Sequence, residues 1–581
     1  MKIIPGLKRR HYVARLSIFL ITVALIAGMA GCPPPSENLE IRTWYDLDAV
    51  RDNSGGHHIL MNDLDSTTPG YEALASPTAN EGKGWHPIHV FTGSFDGQGY
   101  EIRDLFTNRP DELNVALFGN VGVGGVVQDV GVVNADVTGN WSVGGLVGAN
   151  LGTLSNSYFT GSVTGDLGVG GLVASNYESI VSNSYYNYDE VLINGENIIT
   201  IGALFGEDFD QWLANDKFLD VSDRLSEEDG YYVVNNVTDF QELLAFGQNG
   251  SLKFRLKNDL DLGDEPNFYI PYLAGEFDGN DHNISDLSFN FCFVSHVGLF
   301  GYLAPGGKVT QLGVENVNIT GASSVGGLVG ANWKGTVSDS YSSGSVNGSV
   351  TRSDIEYEAY VGGLVGVNWD GTVSNSYATV SVNGNDGVGG LAGVNKGTVS
   401  NAYACGNVTG NSFVGGLVGG SGGTGIVRNS YSSANVTGEH FVGGLVGSSA
   451  YGGSVSDSYS TSNVTGNWAV GGLVGDNCRG TVSKSYSTGS VSGNEDVGGL
   501  VGYNPYGTVR TSFWDIETSG QSYSWGGTGK TTAEMQDIAT FTGAAWNIIT
   551  VANHSTRNSS YIWNIVNIVD SETYPFLSWQ A

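Results

Sequence analysis

Four carboxylates are the first candidates for chemistry: Asp63 with Asp65, and Asp259 with Asp261. A spacing of two along a strand sends both side chains to one face and the Leu between them to the other. Such a pair suits a calcium ligand set or an acid/base couple, and it is equally the composition of a solvated strand end. Asp96 and Asp278 precede Gly in turn-type dipeptides and are read as turn residues. His86 and His89 stand in an apparently extended segment, where their spacing directs them to different faces. His57-His58 reads as an exposed pair without a carboxylate at ligand spacing. No His is followed by Glu, which excludes the HExxH zinc site of a metalloprotease. A Ser-His-Asp triad stays open in so serine-rich a chain, but no G-x-S-x-G nucleophile elbow is expected. No catalytic residue and no cofactor is therefore assigned, and the four aspartates remain weak metal candidates.

Cys32 offers a different chemistry. Lys2, Lys8, Arg9, Arg10 and Arg15 form a basic start, Leu16 to Ala27 is apolar, and Gly28-Met29-Ala30-Gly31-Cys32 follows. Basic, apolar and then small residues make a secretory signal. Its end resembles the lipobox of bacterial lipoproteins, in which cleavage leaves the Cys lipidated. The expectation is a signal peptide over 1–31, a lipid-anchored linker over 32–37 and an exported protein held on the membrane through Cys32. Removing five of the 25 basic residues leaves 20 against 58 acidic ones, a formal charge of −38. A surface this acidic argues against nucleic acid and polyanionic partners, which require basic patches. The remaining cysteines, Cys292, Cys405 and Cys478, are scattered singly and are read as buried small residues.

The elements that would hold these residues come from a repeat. Val-Gly-Gly-Leu-Val-Gly, or a close variant, begins at Val143, Val169, Val325, Val361, Val388, Val414, Val442, Val470 and Val497, with spacings of 26 to 28 residues from Val361 onward. Each is followed by a segment of the Gly-Thr-Val-Ser-Asn-Ser-Tyr type. Its aromatic falls at Tyr158, Tyr185, Tyr341, Tyr377, Tyr403, Tyr431, Tyr459, Tyr486 and Phe513. A fixed period in this range marks a solenoid. Short β-type segments separated by Gly and Asn turns, without a helix-length amphipathic stretch, give an all-β parallel β-helix with about 27 residues per coil. Ordering such a coil costs about 1–2 kcal/mol per residue. Its few Val and Leu side chains return about 1.5–3 kcal/mol each, so coils must stack. At about 4.8 Å per coil, roughly 20 coils make a rod on the order of 95 Å. Stacking aligns Asn150, Asn176, Asn332, Asn368, Asn395, Asn477 and Asn504 into a polar column, and aligns the tyrosines likewise. The Val and Tyr of each Thr-Val-Ser-Asn-Ser-Tyr segment are expected on opposite faces of the coil; which of them points inward is left open.

These units resemble GLUG repeats, found in bacterial and some archaeal surface proteins and in non-catalytic parts of IgA-cleaving metalloproteases. The resemblance covers Val143 to about Tyr186 and Val325 to about Trp514. It implies a right-handed parallel β-helix in an adhesion or surface setting, with no catalytic residue in the repeats.

A larger duplication overlies the coils. Gly93-Ser94-Phe95-Asp96-Gly97 matches Gly275-Glu276-Phe277-Asp278-Gly279, and Leu117-Phe118-Gly119 matches Leu299-Phe300-Gly301. Two modules follow, over 38–225 and 230–514, with a C-terminal capping segment over 515–581. Each module opens with a short helix, near Thr43 to Val50 and at the Thr238-Asp239-Phe240-Gln241 capping box, placed to cover the open end of a stack. Another helix starts at Thr531-Thr532-Ala533-Glu534, the apolar region from Trp563 to Trp579 closes the C-terminal side, and Arg352 to Tyr360 is an inserted loop. The functional expectation is a non-enzymatic, adhesin-like protein on the cell surface, binding an extracellular polysaccharide or surface protein through Tyr341, Tyr377, Tyr403, Tyr431, Tyr459 and Tyr486. The alternative is a carbohydrate-active β-helix enzyme, a glycoside hydrolase or polysaccharide lyase.

Overall fold

The computed structural model describes residues 39–177, 179–349, 359–566 and 572–580. Cys32 and most of the Arg352 to Tyr360 insertion lie outside the described residues. Strands make up 47% of the chain and wind into a parallel β-solenoid of about 15 turns. At about 4.8 Å per turn that is a rod of about 70 Å. It is shorter than the roughly 20 coils expected, because the Gly206–Ala214 helix and the region from Met535 to Leu577 pack on the outside of the stack and add no coils.

Each later coil has three sides. The hexad supplies two of them, seen in His440–Gly443 and Val446–Ser448, which pair with the equivalent strands of neighbouring coils. The third combines segments such as Ser454–Ser456, Tyr459–Ser460 and Asn463–Thr465 in a long sheet of 26 strands. Among the named strands, antiparallel pairs occur between Glu227–Glu228 and Tyr231–Val234, and between Trp563–Val566 and Phe576–Leu577. The interior is a column of aliphatics: Val442, Leu445, Val446, Val455 and Val464 in one coil are each at most 1% exposed. At the hexad corner a Cβ on Gly443 would lie 1.9 Å from the Val446 carbonyl oxygen, so the bend admits only glycine.

The Asn column forms inside the turns. Asn332 Nδ2 donates to Asn368 Oδ1, and Asn368 Nδ2 to Asn395 Oδ1, both at 2.8 Å with all three residues fully buried. Ser421 and Ser449 interrupt the column between Asn395 and Asn477.

Both opening helices are present. Trp44–Asp48 is capped by Thr43 in a reciprocal box with Asp46, and Trp44 and Leu47 are fully buried. Val237–Gln241 is capped by Asn236, which accepts from Asp239 N, rather than by Thr238. The helix expected at Thr531 forms over Thr532–Met535, capped by Thr531 in a reciprocal box with Glu534.

The two sets of sheets, over 39–204 and 227–530, are not hydrogen-bonded into one another as sheets. They nevertheless share a single hydrophobic core from Ile41 to Trp514. Where they meet, the Gln248 side chain accepts from Ser184 N at 3.0 Å and donates to Ser184 O at 2.8 Å. Its amide thus satisfies both backbone groups of Ser184, which links the strands Ile180–Ser182 and Tyr185–Asn187.

Candidate functional site

The tyrosines lie on the outer face of the long sheet. In each repeat the Val of Thr-Val-Ser is buried inside, as at Val337, Val373 and Val399, and the aromatic four residues on points outward. Alternation alone would put both on one face, but the left-handed backbone of Asp339, Asn375 and Asn401 between them turns the chain. Tyr341, Tyr377, Tyr403, Tyr431, Tyr459 and Tyr486 stack with centroids 4.8 to 5.0 Å apart and planes within 6° of parallel. That spacing is imposed by the strands and not chosen by the rings. Stacked in this way they present edges and hydroxyls outward, rather than faces.

The row is not uniform along its length. The start of the C-terminal segment bonds onto the last coil through Tyr523, Ser524 and Thr528–Lys530. The apolar region from Trp563 to Trp579, by contrast, does not close that end; it folds back along the flank over the far part of the row. Met535, Phe541, Trp546, Ile548, Trp563, Ile565 and Leu577 form a second hydrophobic cluster with Tyr459, Tyr486 and Phe513. Gln580 Nε2 donates to the Tyr459 hydroxyl at 2.6 Å, and the Tyr486 hydroxyl donates to Pro575 O. The last ring of this cover, Trp579, lies 5.8 Å from Tyr431 and 6.5 Å from Tyr403, held by a 3.0 Å bond from Nε1 to Asn429 O. Beyond it Tyr341, Tyr377 and Tyr403 are half-buried. Tyr341 is anchored, its hydroxyl donating to Glu315 at 2.6 Å. Burial, followed by the neighbouring Tyr431 and Tyr377, pushes Tyr403 up to about 12, so the open row is neutral at physiological pH.

In the first stack the same surface is covered whole. Phe209 and Trp212 of the Gly206–Ala214 helix pack on Tyr158 and Tyr185, with Trp212 5.2 Å from Tyr185. Trp212 Nε1 donates to Asn183 Oδ1 at 2.8 Å, and Lys217 Nζ to Asn156 O at 2.7 Å.

The aspartates are turn and edge caps. Asp63 accepts from Glu101 N at 2.9 Å, and Asp259 correspondingly from Asn283 N and His282 Nδ1, both at 3.0 Å. Asp65 accepts from Thr67 and Thr68, and Asp261 from Gly263 N. Hydrogen bonds from Thr67 hold Asp65 below the usual carboxylate range, and those from Asn283 N and His282 do the same for Asp259. The intervening Leu64 and Leu260 are buried. Among the described residues no three His, Cys, Asp or Glu gather as a metal site.

Other expectations need correction. His86 and His89 do not diverge: their rings meet edge-on at 5.8 Å, because the segment through Pro87 is irregular and not a strand. His58 is buried, its Nε2 2.8 Å from Asn53 O. Cys292 is exposed, and Cys405 and Cys478 are half-buried. Gly419-Gly420-Ser421-Gly422-Gly423 does have G-x-S-x-G spacing, but it leads from Val418–Ser421 into another strand, Ile426–Arg428, and not into a helix. The strand-to-helix elbow that would expose a nucleophile is absent there.

Residues 139–164, 321–347, 357–383 and 440–465 match the GLUG motif. The chain carries GLUG repeats. Each matched stretch holds one hexad, and the motif is the corner and inner column of one coil. The GLUG chain is 34% identical over 140 residues to Halomucin of Haloquadratum walsbyi, covering 24% of this chain and 2% of that protein. It is 34% identical over 172 residues to a provisionally named Gly-rich membrane protein of Evansella cellulosilytica, covering 26% and 19%. It therefore spans a small part of these curated relatives. A solved structure, provisionally named an immunoglobulin A1 protease from Bacteroides ovatus, aligns at 18% identity over 60% of this chain and 93% of its own, with a TM-score of 0.30; at that score the likeness carries no argument.

Proposed function

We propose that this GLUG-repeat chain is a non-enzymatic, adhesin-like protein of the cell surface. It is held to the membrane by lipidation of Cys32 and binds an extracellular polymer or partner along the open part of its tyrosine row. One observation carries this reading. The first stack covers its row completely, whereas the second, built from the same coil, leaves Tyr341, Tyr377 and Tyr403 half-exposed at its edge. The printed name of one relative, a Gly-rich membrane protein, is in keeping with an envelope setting. The caps formed by Asp63, Asp65, Asp259 and Asp261 leave a hydrolytic reading without a carboxylate pair to rest on.

The test has two arms. Cys32→Ser in the full chain should move the protein from the membrane fraction to the soluble fraction, and unchanged membrane association would refute the anchor. Purified chain incubated with polysaccharides and matrix proteins should retain a polymer without shortening it, and Tyr377→Ala should weaken that retention. Cleavage of any polymer would overturn the non-enzymatic reading.

A further inference from the structure

The edge of the C-terminal cover forms a cleft of about 330 Å³ with the sheet beneath it. Its walls include Asn401 and Asn429 from successive coils, and Ser560, Tyr561, Ile562 and Trp579 from the cover. The volume is at the low end of the range of about 300–1,000 Å³ in which ligand pockets fall, which suits a short ligand or a short stretch of a polymer. No lining residue is charged, although the chain carries a formal charge of −33. A cationic ligand would therefore find no carboxylate in the cleft, and an anionic one no base.

The polar groups are amides and hydroxyls, and their hydrogen bonding is incomplete. A chain of side-chain bonds runs from Asn401 Nδ2 to Asn375 Oδ1 at 3.0 Å, and from Asn375 Nδ2 to Asp339 Oδ1 at 3.1 Å. It stops at the cleft: among the described residues Asn429 does not extend it, although Asn429 shares the left-handed backbone of Asn375 and Asn401. In the first stack the equivalent Asn183 is fully engaged, donating to Asn156 and Lys217 and accepting from Trp212. The cleft thus leaves open, on the same column, amide groups that the first stack closes. Asn429 offers a donor and an acceptor side by side, and Asn401, with one N–H given to Asn375, keeps its Oδ1 and the other N–H, the pattern that neighbouring hydroxyls on a sugar ring complement. Tyr561, 36% exposed, and the half-buried Trp579 add aromatic surface against which the C–H groups of a sugar can pack. A peptide adding itself as a strand has no edge to use, because the strands beneath are paired on both sides.

We propose that this cleft binds an uncharged saccharide, with Asn401 and Asn429 bonding its hydroxyls and Tyr561 and Trp579 packing on its ring. The inference rests on the adhesin-like reading and names the ligand class and the place of contact.

The experiment uses the full chain, solubilised, against panels of neutral, uronate-bearing and amino-sugar oligosaccharides and an uncharged peptide, read by tryptophan fluorescence and by retention. Neutral saccharides should bind and shift the emission. Tyr561→Ala and Asn401→Gly should each weaken that binding at least tenfold with unchanged melting; glycine is chosen because Asn401 has φ of 51°. If polymers are retained, Tyr377→Ala abolishes retention and the two cleft variants do not, the row reading stands and the cleft proposal falls. If charged sugars or the peptide bind best through Asn401, the ligand class is wrong. If nothing in any panel is retained, both readings fall.

Discussion

The two stacks treat one surface in opposite ways. In the first, a nine-residue helix, Gly206–Ala214, covers both tyrosines of a short row. In the second, a much longer C-terminal segment covers only the far part of a row of six tyrosines and Phe513. The coil chemistry is the same, so the difference is one of accounting between row and cover. Stacked tyrosines form because the strands dictate their spacing, and they stay buried only where a separate segment reaches them. A cover therefore behaves as an independent structural choice, and exposure along a solenoid cannot be read from the repeat alone.

Removing the first cover tests this most severely. Trp212 is fully buried against Tyr158 and Tyr185 and bonds Asn183. Trp212→Ala should cost about 3–5 kcal/mol, read as lost hydrogen-exchange protection across residues 153–187. The coils beyond Val361 should keep their protection; a uniform loss would mean that the stacks unfold as one unit.

A contrast within the second stack sharpens the comparison. Ser448 and Asp476 occupy the same column in adjacent coils. Burial pushes Asp476 up to about 6, partly offset by bonds from Ser448 Oγ and Cys478 N. The folded protein therefore holds this proton more tightly than the unfolded chain, so its contribution is fully present below about pH 4 and is lost as pH rises through about 6. Asp476→Asn should raise stability at pH 7.5 by about 1–3 kcal/mol and leave it nearly unchanged at pH 4, as measured by thermal melting at both values. A gain of equal size at pH 4 would remove ionisation as the cause.

Tyrosine hydroxyls separate the anchored from the free part of the open row. Tyr341→Phe forfeits the bonds to Glu315 and Asn283 and should cost about 1–2 kcal/mol. Tyr377→Phe should stay within about 0.5 kcal/mol, and equal costs would contradict the assignment. Raised tyrosine pKa values also predict an alkaline limit. Tyr403, moved up to about 12, contributes stability that is intact below about pH 10 and is lost as pH rises through about 12. Titration by tyrosinate absorbance should show Tyr403 ionising above the unfolded value.

Much of this architecture is legible in the residues. The hexads, the Asn column, the tyrosine alignment and the short helices near Thr43 and Thr531 all follow from local spacing, and local spacing is what builds a solenoid; the cap of the helix at Val237–Gln241 falls on Asn236 and not on Thr238. The course of the C-terminal segment is not legible. The apolar pattern around Trp563 and Trp579 requires burial, but an open coil end and a flank of stacked rings satisfy that requirement equally well. The pairing of His86 with His89 was missed because a strand was assumed through Pro87. The cleft at Asn401 depends on where Trp579 comes to rest, 150 positions from its hydrogen-bond partner Asn429, and no local signal records that. The Asp339–Asn375–Asn401 column itself could have been suspected, since Asn or Asp recurs two residues before most of the tyrosines.

The identical register of Val361, Val388, Val414 and Val442 in their sheet makes the coils interchangeable parts. A duplication or loss of whole coils between the opening helices and Tyr403 leaves both the caps and the cover untouched. Such a gene can alter the reach of its product in steps of about 4.8 Å, lengthening the open row while the cleft at its margin is inherited unchanged.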